Sequence, residues 1–242
     1  METKAITETI GSYNVNKELV ENIALCLQTE IRGLLSPELQ DLDFSDKISI
    51  TISLPNESKT NSSITEYLGQ YPKLPFSDKT ESITIELEHL ILCTGYKKAI
   101  YFSITFSRER ANNNLQISLT DESASAKISG IKDTVYWVLN HYKNDNNLIY
   151  RNEYLPTVYI IGGLLFAALT YISQSFLMRP SMGIVSGILL YFAAFRFVKG
   201  YCTFDTRSQK VWNSVFKWLT TAIAGAILAI ILAMIRKQLF SR

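Results

Sequence analysis

Histidine is almost missing from this chain, with only His89 and His141 among 242 residues, and no two cysteines stand two residues apart. The ligand sets of structural zinc sites are therefore not written in the sequence. The three cysteines, Cys26, Cys93 and Cys202, are too few for a disulfide framework. Cys26 sits in an amphipathic stretch and Cys93 in an apolar run, so they read as buried thiols of a reducing compartment. No glycine-rich loop joins a strand to a helix, so phosphates of a nucleotide have no evident cradle. Gly-X-Ser-X-Gly is absent as well. The first sixteen residues hold Glu2, Lys4, Glu8 and several threonines rather than the apolar core of a secretory signal. No myristoylation glycine follows Met1, and no prenylation cysteine box ends the chain.

The most uneven absence is of acid. Residues 1–153 carry 15 Lys+Arg against 21 Asp+Glu, a net of −6. Residues 154–242 carry nine Lys+Arg against one acid, Asp205, a net of +8. The total of +2 thus hides an acidic head on a basic tail. Anionic lipid headgroups attract such a tail, and an acidic head stays clear of the same surface. An acidic head with no basic face also argues against nucleic acid as a partner.

That tail contains three apolar stretches, at about residues 155–175, 182–198 and 218–235. Each approaches the ~20 residues that a helix needs to cross a bilayer. The expectation is an integral, multi-pass membrane protein with the lipid bilayer as its first partner. Pro156 suits the first turn of the first span. Gln174–Ser181 reads as a tight connection containing Arg179-Pro180. Arg196 and Lys199 are placed to snorkel at the end of the second span. The loop Gly200–Phe216 and the start of the third span bring Arg207, Lys210, Trp212, Lys217 and Trp218 together as a basic and aromatic interfacial anchor, and Arg236-Lys237 closes the third span. With the head inside, the inner side gathers Lys143, Arg151, Lys199, Arg207, Lys210 and Lys217, and the outer side holds Arg179, Arg236, Lys237 and Arg242. Six against four points to a cytoplasmic N-terminal domain. A hairpin with a third helix that only dips into the bilayer is the competing topology.

In the head, residues 1–150, Leu19, Ile23, Leu27, Ile31 and Leu34 mark one face of a helix over residues 15–35, ended by Ser36-Pro37. The period then falls to two. Ile48, Ile50, Ile52 and Leu54 alternate with polar residues, as do Ile83, Ile85 and Leu87; Ile100, Phe102, Ile104 and Phe106; and Leu115, Ile117 and Leu119. Ser63–Glu66 reads as a capping box opening a short helix through Tyr71. Ile131, Val135, Val138, Leu139 and Tyr142 predict a last helix from about Ile131 to Tyr142. Strands that alternate this cleanly have one wet face, which gives an α+β domain: an antiparallel sheet of about four strands backed by helices. Three all-α membrane spans follow it. The wet face carries Ser49, Thr51, Ser53, Thr84, Glu86, Tyr101, Ser103, Thr105, Gln116 and Ser118, a solvated surface or a contact surface. Glu81, Glu86 and Glu88 fall near it as a solvated acid group.

Small residues recur four apart in the spans: Gly163 and Ala167, Gly183 and Gly187, then Ala222, Gly225, Ala226, Ala229 and Ala233. Such seams let helix backbones approach in a bilayer, within one chain or between copies. No acid or lysine stands mid-span, as ion pathways usually require. No catalytic residue, cofactor or metal ligand is assigned. The expected function is non-enzymatic: a cytoplasmic module that binds a ligand or a protein partner, coupled to a small helical bundle that oligomerises. In layout alone, with no shared motif, this is similar to membrane effectors of bacterial defence systems. The alternatives are a membrane-tethered enzyme with an unrecognised site, and an accessory or scaffold subunit of a membrane complex.

Overall fold

The computed structural model describes residues 2–40, 47–61, 76–93, 96–144, 146, 154–173, 178–198 and 200–240. The short helix expected from Ser63 to Tyr71 lies outside them. Two compact units result.

The first unit takes in residues 1–147 and, from far along the chain, Gly200–Arg207. Its centre is a six-stranded sheet in the order β1-β7-β6-β5-β3-β4, antiparallel throughout. The strands are β1 (Glu2–Thr9), β3 (Ile48–Leu54), β4 (Glu57–Asn61), β5 (Ser82–Cys93), β6 (Tyr96–Ser107) and β7 (Asn114–Asp121). The α+β class is as expected, but the sheet has six strands rather than about four. The two extra strands are its edges. β1 holds a single large apolar residue, Ile6, and β4 holds none, so neither shows the alternation that marks a half-buried strand. Pro55-Asn56 does not merely stop β3: it is the two-residue turn of the β3–β4 hairpin, with Leu54 facing Glu57. Lys4 and Lys59 stand on the edge strands, where charge discourages pairing with another sheet.

One sheet face is dry. Ile50, Ile85, Phe102, Ile104, Ile117 and their neighbours are almost fully buried beneath two helices, α1 (Lys17–Cys26) and α3 (Ala124–Asn140). Asn16 caps α1 by accepting from the Leu19 amide at 2.8 Å. Leu19, Val20, Ile23 and Ala24 then face the sheet, as do Ile128, Ile131, Val135 and Leu139 of α3. α3 starts seven residues before the expected Ile131. Its first two turns, Ala124–Gly130, carry few apolar residues, so periodicity alone does not show them. After Cys26 the ladder widens into a π turn, Leu27–Ile31, before a last α turn, Arg32–Leu34, and the short α2 (Pro37–Gln40). The other sheet face carries hydroxyls paired across strands: Thr3 with Thr120 at 3.1 Å, Thr51 with Thr60 at 3.0 Å and Thr84 with Thr105 at 3.1 Å.

The second unit comprises residues 148–199 and 208–242. α4 (Leu155–Ile172) and α5 (Met178–Val198) pack as a hairpin, and α6 runs from Arg207 to Phe240. Arg179-Pro180 lies in the first turn of α5 rather than in a connection, a position proline tolerates. Two helices among the described residues, α4 and α5, are long and apolar enough to cross a membrane. A core helix of a soluble protein would be covered by protein; these are not, and Ile161 and Leu164 are each 60% exposed. The third expected span, 218–235, lies within α6, and several of its side chains lie outside the described residues.

Candidate functional site

On the outer side of the helical layer, α1 and α3 leave a groove of about 540 Å³. Asn22 and Tyr142 line it, with the Asn22 amide donating to the Tyr142 hydroxyl at 2.6 Å. Burial raises the Tyr142 pKa, and the neighbouring Glu18 carboxylate adds to the rise. Leu25 and Trp137 line the groove yet stay 56% and 68% exposed. Glu18 and Glu30 also line it, and among the described residues no Lys or Arg does. The π turn brings Thr29 and Glu30 into the wall, and the Thr29 hydroxyl donates back to the Leu25 carbonyl at 2.9 Å. Single π turns inside α-helices are frequent at functional sites.

His141 is the C-cap of α3. Its Nδ1 donates to the Trp137 carbonyl at 3.0 Å, and its ring meets the indole edge-to-face at 5.2 Å. A carbonyl only accepts, so in the neutral ring Nε2 keeps its lone pair and can accept a hydrogen bond. Cys26 borders the groove, but burial pushes its thiol up to about 11, so it is a poor nucleophile near neutrality.

Through Tyr142, the groove lining is tied to the distant segment Gly200–Arg207. The Asn14 amide donates to the Tyr142 carbonyl at 2.8 Å, and the Asn14 side-chain oxygen accepts from the Thr203 hydroxyl at 2.6 Å. Strands β2 (Asn14–Val15) and β8 (Thr203–Phe204) pair in parallel. The Thr203 amide donates to Tyr13 at 3.0 Å and the Asp205 amide to Val15 at 2.9 Å. On the other side of this strap, the Tyr201 and Cys202 amides donate to Arg108 at 2.7 Å and Ser107 at 3.1 Å. Tyr201, Cys202, Phe204 and Thr206 are buried, and Phe204 meets Phe76 edge-to-face at 5.3 Å. α6 begins at the next residue, Arg207. The expected loop from Gly200 to Phe216 is thus two things: a buried strap as far as Thr206, and a helix thereafter. Lys210, Trp212, Lys217 and Trp218 lie on that helix, and the side chains of Arg196, Lys199, Arg207, Arg236 and Lys237 lie outside the described residues.

A second polar constellation is internal. The Asp121 carboxylate, 0% exposed, accepts from Lys127 at 2.7 Å and stands 3.5 Å from Lys98, itself 3% exposed. It also accepts from the Ser36 and Glu122 amides at 3.1 and 2.8 Å, while Lys98 donates to the Ser36 hydroxyl at 3.1 Å. Burial alone would raise the Asp121 pKa; the bonds from Lys127, Glu122 and Ser36 outweigh it and hold the carboxyl below its ordinary value. Ser36 and Lys98 resemble a nucleophile and base on paper. With Asp121 bonded to the Ser36 amide and paired with Lys98, the arrangement pins the start of α2 to the sheet.

Among the described residues no group of three His, Cys, Asp or Glu side chains could hold a metal ion. His89 lies on β5; burial lowers its pKa, and Lys47 lowers it further. Glu86 lies on the wet sheet face, 3.4 Å from both the Tyr101 and Ser103 hydroxyls.

In the second unit, Gly163 lies so close to α5 that a β-carbon there would stand 2.8 Å from Leu190, and its carbonyl accepts from the Ser186 hydroxyl at 2.7 Å. Gly183 faces Thr170. Gly187 and Gly225 have open space where a β-carbon would stand, and Ala167, Ala222 and Ala229 are exposed. The side chains of Ala226 and Ala233 lie outside the described residues. Phe216, the one buried aromatic of α6 among the described residues, packs on Tyr191 and Phe195 with ring centroids 5.4 and 5.0 Å apart.

Fold and groove together define a class: an α+β unit with an acidic, aromatic-walled groove, carrying helices apolar enough for a bilayer. Set against known protein families, characterised proteins and solved structures, the chain matches none.

Proposed function

We propose that this protein is a membrane-embedded binding module. Its α+β unit takes a ligand or protein partner at the cytoplasmic surface, and its helices span the bilayer and associate with those of other copies. In this reading the output is the state of the helical bundle, as in a membrane effector, and no bond is made or broken. The observation that carries it is the set of hydrogen bonds that runs from the groove-lining Tyr142 through Asn14 to Thr203, four residues before α6 begins. An occupant that shifts Tyr142 would bear on the segment from which α6 departs, a contiguous path along which two sites can couple. The bare surfaces of α4 and α5 support insertion in lipid. The exposed small residues Ala222, Gly225 and Ala229 of α6 support association between copies.

The test is the mass of the full-length chain in nanodiscs, measured particle by particle, beside Gly225→Leu. The reading expects assemblies larger than one copy and their loss in the variant, with the thermal unfolding of the α+β unit unchanged. A chain that stays monomeric at all protein-to-lipid ratios removes association from the proposal.

A further inference from the structure

The groove between α1 and α3 has features that together narrow the chemistry of its occupant. Both of its charged side chains are carboxylates, Glu18 at one end of the helical stretch and Glu30 at the other. Glu30 follows Glu18 by twelve positions, a separation on the order of 15 Å along α1 and its π turn. Between them the lining mixes the polar Asn22, Thr29 and Thr134 with the apolar or aromatic Leu25, Val138 and Trp137, whose indole is 68% exposed. Beside that indole, His141 offers an acceptor nitrogen when its ring is neutral. Positive charge is therefore wanted at both ends and along the aromatic wall, with methylene groups between. An indole face attracts a cation directly, and Leu25 and Val138 give the intervening methylenes an apolar bed.

The geometry points to a linear aliphatic polyamine as the occupant: a flexible chain with ammonium groups separated by methylenes. Its terminal ammonium groups pair with Glu18 and Glu30, its inner ammonium lies over Trp137, and its methylenes cover Leu25 and Val138. A compact divalent metal ion matches this spacing poorly, because the two carboxylates are too far apart to share it. An anionic ligand meets the wrong charge at both ends. This inference rests on the reading of the groove as the ligand site of the α+β unit. It adds a consequence for regulation: a polyamine seated against Asn22 and Tyr142 bears on Asn14 and the strap.

Calorimetric titration of spermine into the full-length chain, held in nanodiscs of uncharged phosphatidylcholine and blanked against empty nanodiscs, tests it. Saturable binding is expected, weakening as salt rises. Trp137→Ala is expected to lower affinity about fivefold, and the pair Glu18→Gln with Glu30→Gln about tenfold or more. All three positions are solvent-exposed, and circular dichroism melting checks that the variants fold. Thr84→Ala, on the opposite sheet face, is expected to leave affinity unchanged. The assignment is overturned if spermine gives no saturable heat, or if the groove variants bind as the parent does. It is also overturned if a lysine-rich helical peptide binds and spermine fails to displace it, in which case the groove serves a protein partner. Particle masses measured in the same nanodiscs separate the two readings. Assembly without spermine binding removes the ligand class only, while binding to a chain that never assembles leaves the ligand class and removes association.

Discussion

Replacing Phe204 by alanine cuts the side-chain anchor of the strap while leaving its backbone intact. The ring is 2% exposed, meets Phe76 edge-to-face at 5.3 Å and has the Arg108 guanidinium 5.9 Å from its centroid. Truncating a buried phenylalanine costs about 3–5 kcal/mol, the lost transfer term plus the cavity left behind. That is a large share of the about 5–15 kcal/mol that holds an ordinary domain together. The strap is short, with two-residue strands β2 and β8, so the loss is expected to appear first as local opening. At 1.4 kcal/mol per decade it corresponds to amide exchange faster by about 10²-fold to a few thousandfold across Tyr201–Asp205, Asn14 and Val15. Exchange read by mass spectrometry on the full-length chain in detergent measures this directly, with Trp212→Ala, at an exposed position of α6, as the comparison. An acceleration under about tenfold in the strap would mean that Phe204 does not secure it. Equal acceleration in β5 and β6 would mean the strap has no opening of its own, and the coupling argument built on it would fall.

Asp121→Asn leaves Lys98 and Lys127 without their counter-charge; breaking a buried pair in this way costs about 3–5 kcal/mol, read from urea unfolding. Because the folded-state pKa of Asp121 is held below its unfolded value, its contribution is complete above about pH 4 and is lost as pH falls through the folded value, so the variant should show a shallower acid-side decline than the parent. In the helical hairpin, Gly163→Ala forces a β-carbon to within 2.8 Å of Leu190 and is expected to cost about 1–3 kcal/mol in a bicelle unfolding assay, whereas Gly187→Ala meets open space and should cost nothing. Cys202 is fully buried, and burial pushes its thiol up to about 12; at pH 8 it should resist iodoacetamide until urea opens the unit, and early labelling would contradict the packing described.

The inner four strands were readable in the sequence because half-burial imposes a period of two. The edges were not, because β1 and β4 owe their place to pairing rather than to burial. The strap is harder still. Tyr201-Cys202-Thr203-Phe204 has no periodicity to detect, and its partner, Asn14-Val15, lies almost 190 residues earlier. One signal for the inner ion cluster was present: alternation in β6 carries Lys98 to the same side as Ile100 and Phe102, and a lysine pointing into a core implies a buried acid. The groove had a fainter one. Trp137 falls off the apolar stripe of its helix, Ile131, Val135, Val138 and Leu139, and an indole held outward on a folded domain implies contact with something else. The pairing of α1 with α3 that turns this into a groove is a property of the tertiary fold, and no local pattern encodes it.

Because the α+β unit is closed by residues 200–207, it cannot finish folding while the ribosome is still making α4 and α5. The nascent domain must wait for the strap amides that the carbonyls of Ser107, Arg108, Tyr13 and Val15 accept from in the finished fold. If α4 and α5 enter the bilayer, they must therefore enter as a pair. An odd number of crossings would deliver Phe204 to the far side of the membrane from the cavity it fills. Insertion and closure of the α+β core would then be linked: a chain with a mis-inserted hairpin would carry an unclosed, protease-sensitive domain.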